Sequence, residues 1–258
     1  MTRLKVLRPS SSRPTSSTAP DRRPQLLSTI RIAKVKRSTP LYEQIYDALW
    51  DLIFNGKISP GERLSDREWA QRLDTSRTPV REAMRQMARD GVLLALENGG
   101  YQVRPVDPQG LASLYACRAP LVALAAYHTT LAANDRLLEQ IKMVVASTRN
   151  AIATRDAATA MKYNSKFYSL IVESCGNPYL KIVMTNLDKL ILFYRIALLK
   201  TSARNHKDDY FKHLARANER QRQISDLMAR RNSKQVKLMM EQHLMASADD
   251  MARLLPDS

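Results

Sequence analysis

The sequence predicts a mainly α protein: an N-terminal winged helix-turn-helix with a small β-hairpin wing, followed by an all-α six-helix bundle. Three observations predict it. Residues 65–90, SDREWAQRLDTSRTPVREAMRQMARD, read as two short helices joined by a tight polar turn. Apolar stretches at 92–96 and 101–103 flank Asn98-Gly99-Gly100, the composition of a hairpin tip. Beyond Pro108, every long segment repeats its apolar residues at three-to-four spacing, and no strand pattern intervenes.

Leu41, Ile45, Ala48, Leu49, Leu52 and Ile53 recur at helical spacing until Asn55-Gly56 stops the run, giving a first helix able to brace two others. Ser65-Asp66-Arg67-Glu68 fits a capping box, in which serine and glutamate each satisfy an orphan backbone donor. Trp69, Ala70 and Leu73 supply the apolar stripe of that second helix, and Asp74-Thr75-Ser76 is turn composition. A third helix is expected to begin with Thr78 as its cap and Pro79 in its first turn, where a missing N–H costs nothing. Val80, Ala83, Met84 and Met87 fall on one face and Gly91 closes the helix. Arg77, Arg81, Arg85 and Arg89, every fourth position, then form a neighbouring exposed ridge. Guanidinium groups match guanine edges and phosphates, so a ridge on the second helix of a helix-turn-helix is where base contacts belong. The competing reading is a solvated charged face.

Arg104-Pro105-Val106-Asp107-Pro108 is the expected boundary, because two prolines block continuation and Asp107-Pro108 reads as a cap and first turn. The chain thus divides into three: a disordered basic tail at 1–37, the winged helix-turn-helix at 38–106, and a helical domain at 107–258. Six helices are expected in the last, at about 108–132, 135–154, 156–174, 178–201, 208–230 and 232–254, with Pro120 bending or interrupting the first.

Charge does not locate the nucleic-acid surface. Of a formal net charge of +16, residues 1–37 supply ten Lys/Arg against one acid, residues 38–106 nine against ten, and residues 107–258 twenty-two against fourteen. Placement within the winged helix is what matters. The serine-, proline- and arginine-rich tail suits an arm that touches phosphates without sequence preference; a leader without a role, an upstream start or a transit peptide are the alternatives. No apolar run reads as a membrane span, and the expected location is the cytoplasm. Cys117 and Cys175 are expected to be buried reduced thiols.

PLYEQIYDAL, the Pro60-Gly61 turn before Glu62-Arg63-Leu64, SRTPVREAMRQM and NGGY together resemble the N-terminal domain of GntR-type bacterial regulators. The helical region from residue 107 onward is similar to the FCD-type effector domain of that family's FadR branch, in its six-helix VanR-like group. The resemblance implies DNA contacts from Arg67, Ser76, Arg77 and Arg81 and from a wing at Asn98 and Gly99; Arg85 on the same ridge, Thr78 beside it and Gly100 in the same turn complete the expected DNA-binding set. Pro79 orders the helix start. Many relatives hold a divalent metal between one Asp or Asn and three histidines. Here those positions fall on Asn164, Tyr168 and Gln221, and His243 alone is a histidine. One imidazole with a phenol and two amides is a poor zinc site, so no metal and no cofactor are expected. A site in which His243 recruits His213 or His206 is the alternative.

Asn164, Tyr168, Gln221 and His243 remain able to hydrogen-bond an organic effector; the resemblance implies that Arg118 lies near the effector, and with Arg195, on an otherwise apolar helix, it favours an anion, a carboxylate or phosphate. The competing reading makes the polar four satisfied core groups. The expected partners are a double-stranded operator, that effector and a second copy of the chain. The expected protein is a sequence-specific transcriptional regulator, a repressor released by a small anionic metabolite. An effector-independent DNA-binding protein and a metal-dependent regulator with a non-standard site stay open. No phosphate-cradling glycine loop, His-Glu-x-x-His or nucleophile with a base points to an enzyme.

Overall fold

The computed structural model describes residues 39–205 and 207–255; the expectations for the 1–37 tail and for His206 lie outside them. Residues from Thr39 onward form one compact unit. Its first part holds three helices, α1 (Leu41–Phe54), α2 (Asp66–Arg72) and α3 (Arg77–Arg89), and three short strands, β1 (Arg63–Leu64), β2 (Leu93–Ala95) and β3 (Tyr101–Val103). Six further helices complete the described residues: α4 (Pro108–Ala132), α5 (Asp135–Ala153), α6 (Ala157–Glu173), α7 (Pro178–Asn205), α8 (Lys207–Ala229) and α9 (Ser233–Ala252). A winged helix-turn-helix followed by a helical bundle is the architecture the apolar periods predict.

Local chemistry sets most boundaries. Ser65 Oγ accepts from the Glu68 N–H at 3.5 Å, Asp107 Oδ1 from Gly110 at 2.7 Å, Asn134 Oδ1 from Leu137 at 2.9 Å and Asp156 Oδ1 from Thr159 at 3.0 Å. Each starts its helix by satisfying one of the orphan first-turn donors. Ile45, Leu49 and Ile53 of α1 pack with Val80, Ala83, Met84 and Met87 of α3, the last four with no exposed surface. Burial of each methionine contributes about 1.5–3 kcal/mol.

Several expectations are corrected. α3 begins at Arg77 with Ser76, not Thr78, as its cap, and the Ser76 side chain makes no capping bond. Pro79 fits because the third helical N–H still lacks an intrahelical partner. The wing has a third strand: β3 pairs with β2 (Leu93 opposite Val103, Ala95 opposite Tyr101) and with β1 (Leu64 opposite Tyr101), in the order β1-β3-β2. Pro120 does not interrupt α4, and α7 runs through the expected linker to Asn205. Cys175 is buried but Cys117 is exposed. By length and composition α4 is apolar enough to cross a membrane, contrary to the sequence reading. It is a core helix here, packed most extensively against α9 and burying Leu111, Tyr115, Val122 and Ala126 completely.

Two lysines of α7 fasten the bundle to the winged helix. Lys189 Nζ lies 2.8 Å from Oδ2 of Asp90, the residue that caps the C-terminus of α3. The Tyr46 hydroxyl of α1 donates to the same oxygen at 2.5 Å, and Gln86 Nε2 donates to Asp90 Oδ1 at 3.0 Å. Eleven residues further along α7, Lys200 Nζ donates to the carbonyls of Ile53 (3.1 Å) and Phe54 (2.6 Å) at the end of α1.

Candidate functional site

The ridge on α3 is exposed along its length. Arg77, Arg81, Arg85 and Arg89 face outward with Ser76 and Thr78, while the apolar face one quarter-turn away is buried. Arg67 of α2 is exposed too, and so are Asn98 and Gly99 at the wing tip; Gly100 is half-buried. Gly99 and Gly100 take φ of +83° and +81°, a left-handed backbone that favours glycine, and a Cβ on Gly100 would sit 3.1 Å from the Leu64 carbonyl oxygen.

Sequence reasoning missed what orients the ridge. Asp66, at the start of α2, receives Arg77 Nη2 on one oxygen at 3.0 Å and Arg81 Nε on the other at 2.7 Å. Burial acts to raise the Asp66 pKa, but hydrogen bonds from Arg81 and Arg77 outweigh it and hold the carboxyl below its usual range. Both guanidinium groups stay about half exposed, at 56% and 46% of the side chain. They are thus aimed without being consumed: each retains free N–H groups for an outside acceptor. An aspartate one residue past a helix cap is ordinary charge complement to the macrodipole, so nothing in the string marks its second role.

The six candidate effector residues come together from five helices, Arg118 of α4, Asn164 and Tyr168 of α6, Arg195 of α7, Gln221 of α8 and His243 of α9, and all are buried. Tyr168 is the centre. Its hydroxyl lies 2.7 Å from His243 Nε2, and its ring carries the Arg118 guanidinium at 4.5 Å and the Arg195 guanidinium at 5.6 Å from the centroid. Gln221 Nε2 donates to Asn164 Oδ1 at 2.6 Å. Beside them Asn164, Tyr168, Arg195, Tyr210 and His213 line a cavity of about 20 Å³, room for roughly one water molecule.

Protonation in this cluster is set by its donors. Arg220 Nε donates to His243 Nδ1 at 3.1 Å, and an arginine cannot accept, so Nδ1 carries no proton. Burial, then the nearby positive charges of Arg220 and Arg118, push the His243 pKa well down. The neutral ring therefore carries its proton on Nε2 and donates to Tyr168, leaving the phenol proton for another acceptor. Burial raises the Tyr168 pKa, and pushes that of Tyr210 up to about 12, so both phenols stay protonated. With Nδ1 facing a guanidinium and Nε2 protonated, His243 is a poor metal ligand. His213 Nδ1 instead lies 3.7 Å from Asp250, and among the described residues no cluster of three His, Cys, Asp or Glu could hold an ion.

Two buried cations are incompletely answered. Arg118, 1% exposed, reaches Asp188 Oδ1 with Nε and Nη2 at 3.3 Å, while its Nη1 has no partner. Arg195 reaches Ser165 Oγ at 3.4 Å and pairs with no carboxylate among the described residues. Gln221 Oε1 is likewise unpartnered. A buried polar group without a partner costs about 1–3 kcal/mol, more if charged.

The sequence profile for bacterial regulatory proteins of the gntR family matches residues 41–103, and that for the FCD domain matches residues 113–246. The chain is 33% identical over 164 residues to an uncharacterized HTH-type transcriptional regulator, YdhC, of Bacillus subtilis (strain 168), covering 63% of this chain and 73% of that one. It is 22% identical over 158 residues to the gluconate operon transcriptional repressor of Bacillus licheniformis, covering 61% and 65%. Among solved structures it shares its fold with McbR/YncC of E. coli, at a TM-score of 0.63 and 16% identity over 84% of this chain and 99% of that one.

Proposed function

The chain belongs to the GntR family of bacterial transcriptional regulators and carries its FCD domain, and from that premise we propose a one-component switch in the cytoplasm, a homodimeric repressor released by a small carboxylate or phosphate. The DNA reader is α3. Arg77 and Arg81, steered by Asp66, face base edges and phosphates in the major groove with Arg85, Ser76 and Thr78; Arg67 and the Asn98-Gly99-Gly100 wing hold the flanking backbone. Two copies place two such helices on half-sites about one turn of duplex apart.

The observation that carries the effector's charge is the pair of buried guanidinium groups over Tyr168, one with an idle Nη1 and the other without a carboxylate among the described residues. An anion entering between them supplies the missing acceptor, with Tyr168 donating its phenol proton and Gln221 Oε1 accepting from a ligand hydroxyl. The cavity of about 20 Å³ is too small for an organic molecule, so binding requires the helices to part. Arg118 is the route outward. Asp188, its counter-ion, precedes Lys189, which grips Asp90 at the end of α3. An anion that takes Arg118 from Asp188 loosens α7 at the point where it holds the reading helix. Coupling of about 1–3 kcal/mol changes operator affinity roughly 5- to 150-fold. The repressor named for the gluconate operon is consistent with release rather than activation.

Footprinting on the DNA upstream of the chain's own reading frame tests the reader: a protected pseudo-palindrome is expected, and equal retention of every duplex at physiological ionic strength defeats the proposal. A thermal-melting screen of small carboxylates and phosphates tests the sensor, since a ligand of the folded state raises Tm with concentration. The small closed cavity favours one second reading, an effector-blind regulator, for which no compound in the screen moves Tm.

A further inference from the structure

A larger cavity lies elsewhere. Between the end of α1, the Ile58-Ser59-Pro60 turn and the last third of α7 is a space of about 500 Å³, lined by Ile53, Ile58, Phe193, Ile196, Leu255 and Lys200. That volume is in the range of organic ligand sites, which favour boundaries between domains. Among the described residues its side chains are mostly hydrocarbon, with a single cation. Lys200 Nζ spends two of its three donors on the Ile53 and Phe54 carbonyls and faces no carboxylate among the described residues. Burial lowers its pKa, with no acidic neighbour among the described residues acting the other way. Gly56 presses on it: a Cβ there would stand 2.6 Å from Nζ, so the ammonium lies against bare backbone.

We propose that this junction is a second ligand site, separate from the Tyr168 cluster, and that it takes a monoanionic amphiphile whose hydrocarbon body fills the apolar space and whose carboxylate meets the third Lys200 donor. Charge-assisted bonds to an ammonium are about twice as strong as neutral ones, and aromatic or aliphatic bulk fits Phe193 and Ile196. Among the described residues the site offers one cation and one other polar side chain, Ser59, which suits neither a polyanion nor a sugar.

Calorimetric titration of the full chain with 1-naphthoate and with uncharged 1-naphthamide tests this. Saturable binding of one naphthoate per chain is expected, at least about tenfold tighter than the amide. In Lys200→Met that preference disappears, while in Ala197→Trp, which fills the space from α7, both probes lose binding and the melting transition is kept. Arg118→Gln leaves naphthoate binding unchanged. No saturable binding by wild-type protein overturns the proposal. So does naphthoate binding that survives Lys200→Met and Ala197→Trp but is lost in Arg118→Gln; that result moves the ligand to the bundle core and leaves the reading of the Tyr168 site standing.

Discussion

Replacing Asp90 separates the reading helix from the bundle. Asp90 is 5% exposed and takes bonds from Lys189 at 2.8 Å, Tyr46 at 2.5 Å and Gln86 at 3.0 Å. Hydrogen bonds to a charged group contribute about 1.5–3 kcal/mol, and removing one partner of a fully buried pair costs about 3–5. Lys189 keeps about a third of its side-chain surface in water, so solvent screening places Asp90→Ala near the lower end, about 2–3 kcal/mol. In a double-mutant cycle with Lys189→Met, the pair itself should account for about 1–2 kcal/mol. Reversible urea unfolding measures both. The pH dependence has a fixed sign: burial acts to raise the Asp90 pKa, the bonds from Lys189 and Tyr46 outweigh it, and the folded value is lowered. The stabilisation is thus complete above the unfolded pKa of about 3.9 and fades as pH falls through the folded value. The wild type's advantage over Asp90→Asn should therefore be constant near neutrality and shrink below about pH 4. A coupling energy near zero, or an advantage that grows on acidification, refutes the argument that α7 grips α3 through this carboxylate.

The same geometry fixes other outcomes. Arg81→Ala should weaken operator binding by about 1–3 kcal/mol in a titration against labelled duplex. Asp66→Asn should lower the preference for operator over scrambled duplex while leaving Tm nearly unchanged, because it frees two guanidinium groups and removes none. Tyr168→Ala should keep operator affinity and abolish any ligand-induced rise in Tm; a variant that fails to fold would mark Tyr168 as core, and Tyr168→Phe, which keeps the ring, then tests the hydroxyl alone. Gly100→Val should cost about 1–3 kcal/mol in thermal melting, from the positive φ and the close Leu64 carbonyl.

What could be read from the string was local. Caps at Ser65 and Asp107 act over three residues, so spacing alone reveals them. Ser76 and Thr78 are equally good caps by type, and proline is tolerated throughout the first turn, so the start of α3 was ambiguous by two positions. β1 was invisible because two residues acquire strand character only from partners some forty positions away, Tyr101 and Gln102. The effector cluster came from resemblance rather than period: nothing local joins Tyr168 to His243 across 75 residues. Arg195 is a charge in an otherwise apolar helix, visible as an anomaly, whereas Arg118 came from the resemblance; its partner Asp188, and the Lys189 and Lys200 contacts, belong to packing between elements and leave no periodic trace.

The Arg220 bond to His243 reaches beyond hydrogen-bond satisfaction. It fixes one tautomer, and together with burial and the neighbouring cations it keeps His243 neutral in the heart of the bundle. Held so, the ring is a constant donor to the Tyr168 oxygen, a fixed point about which the two guanidinium groups are arranged.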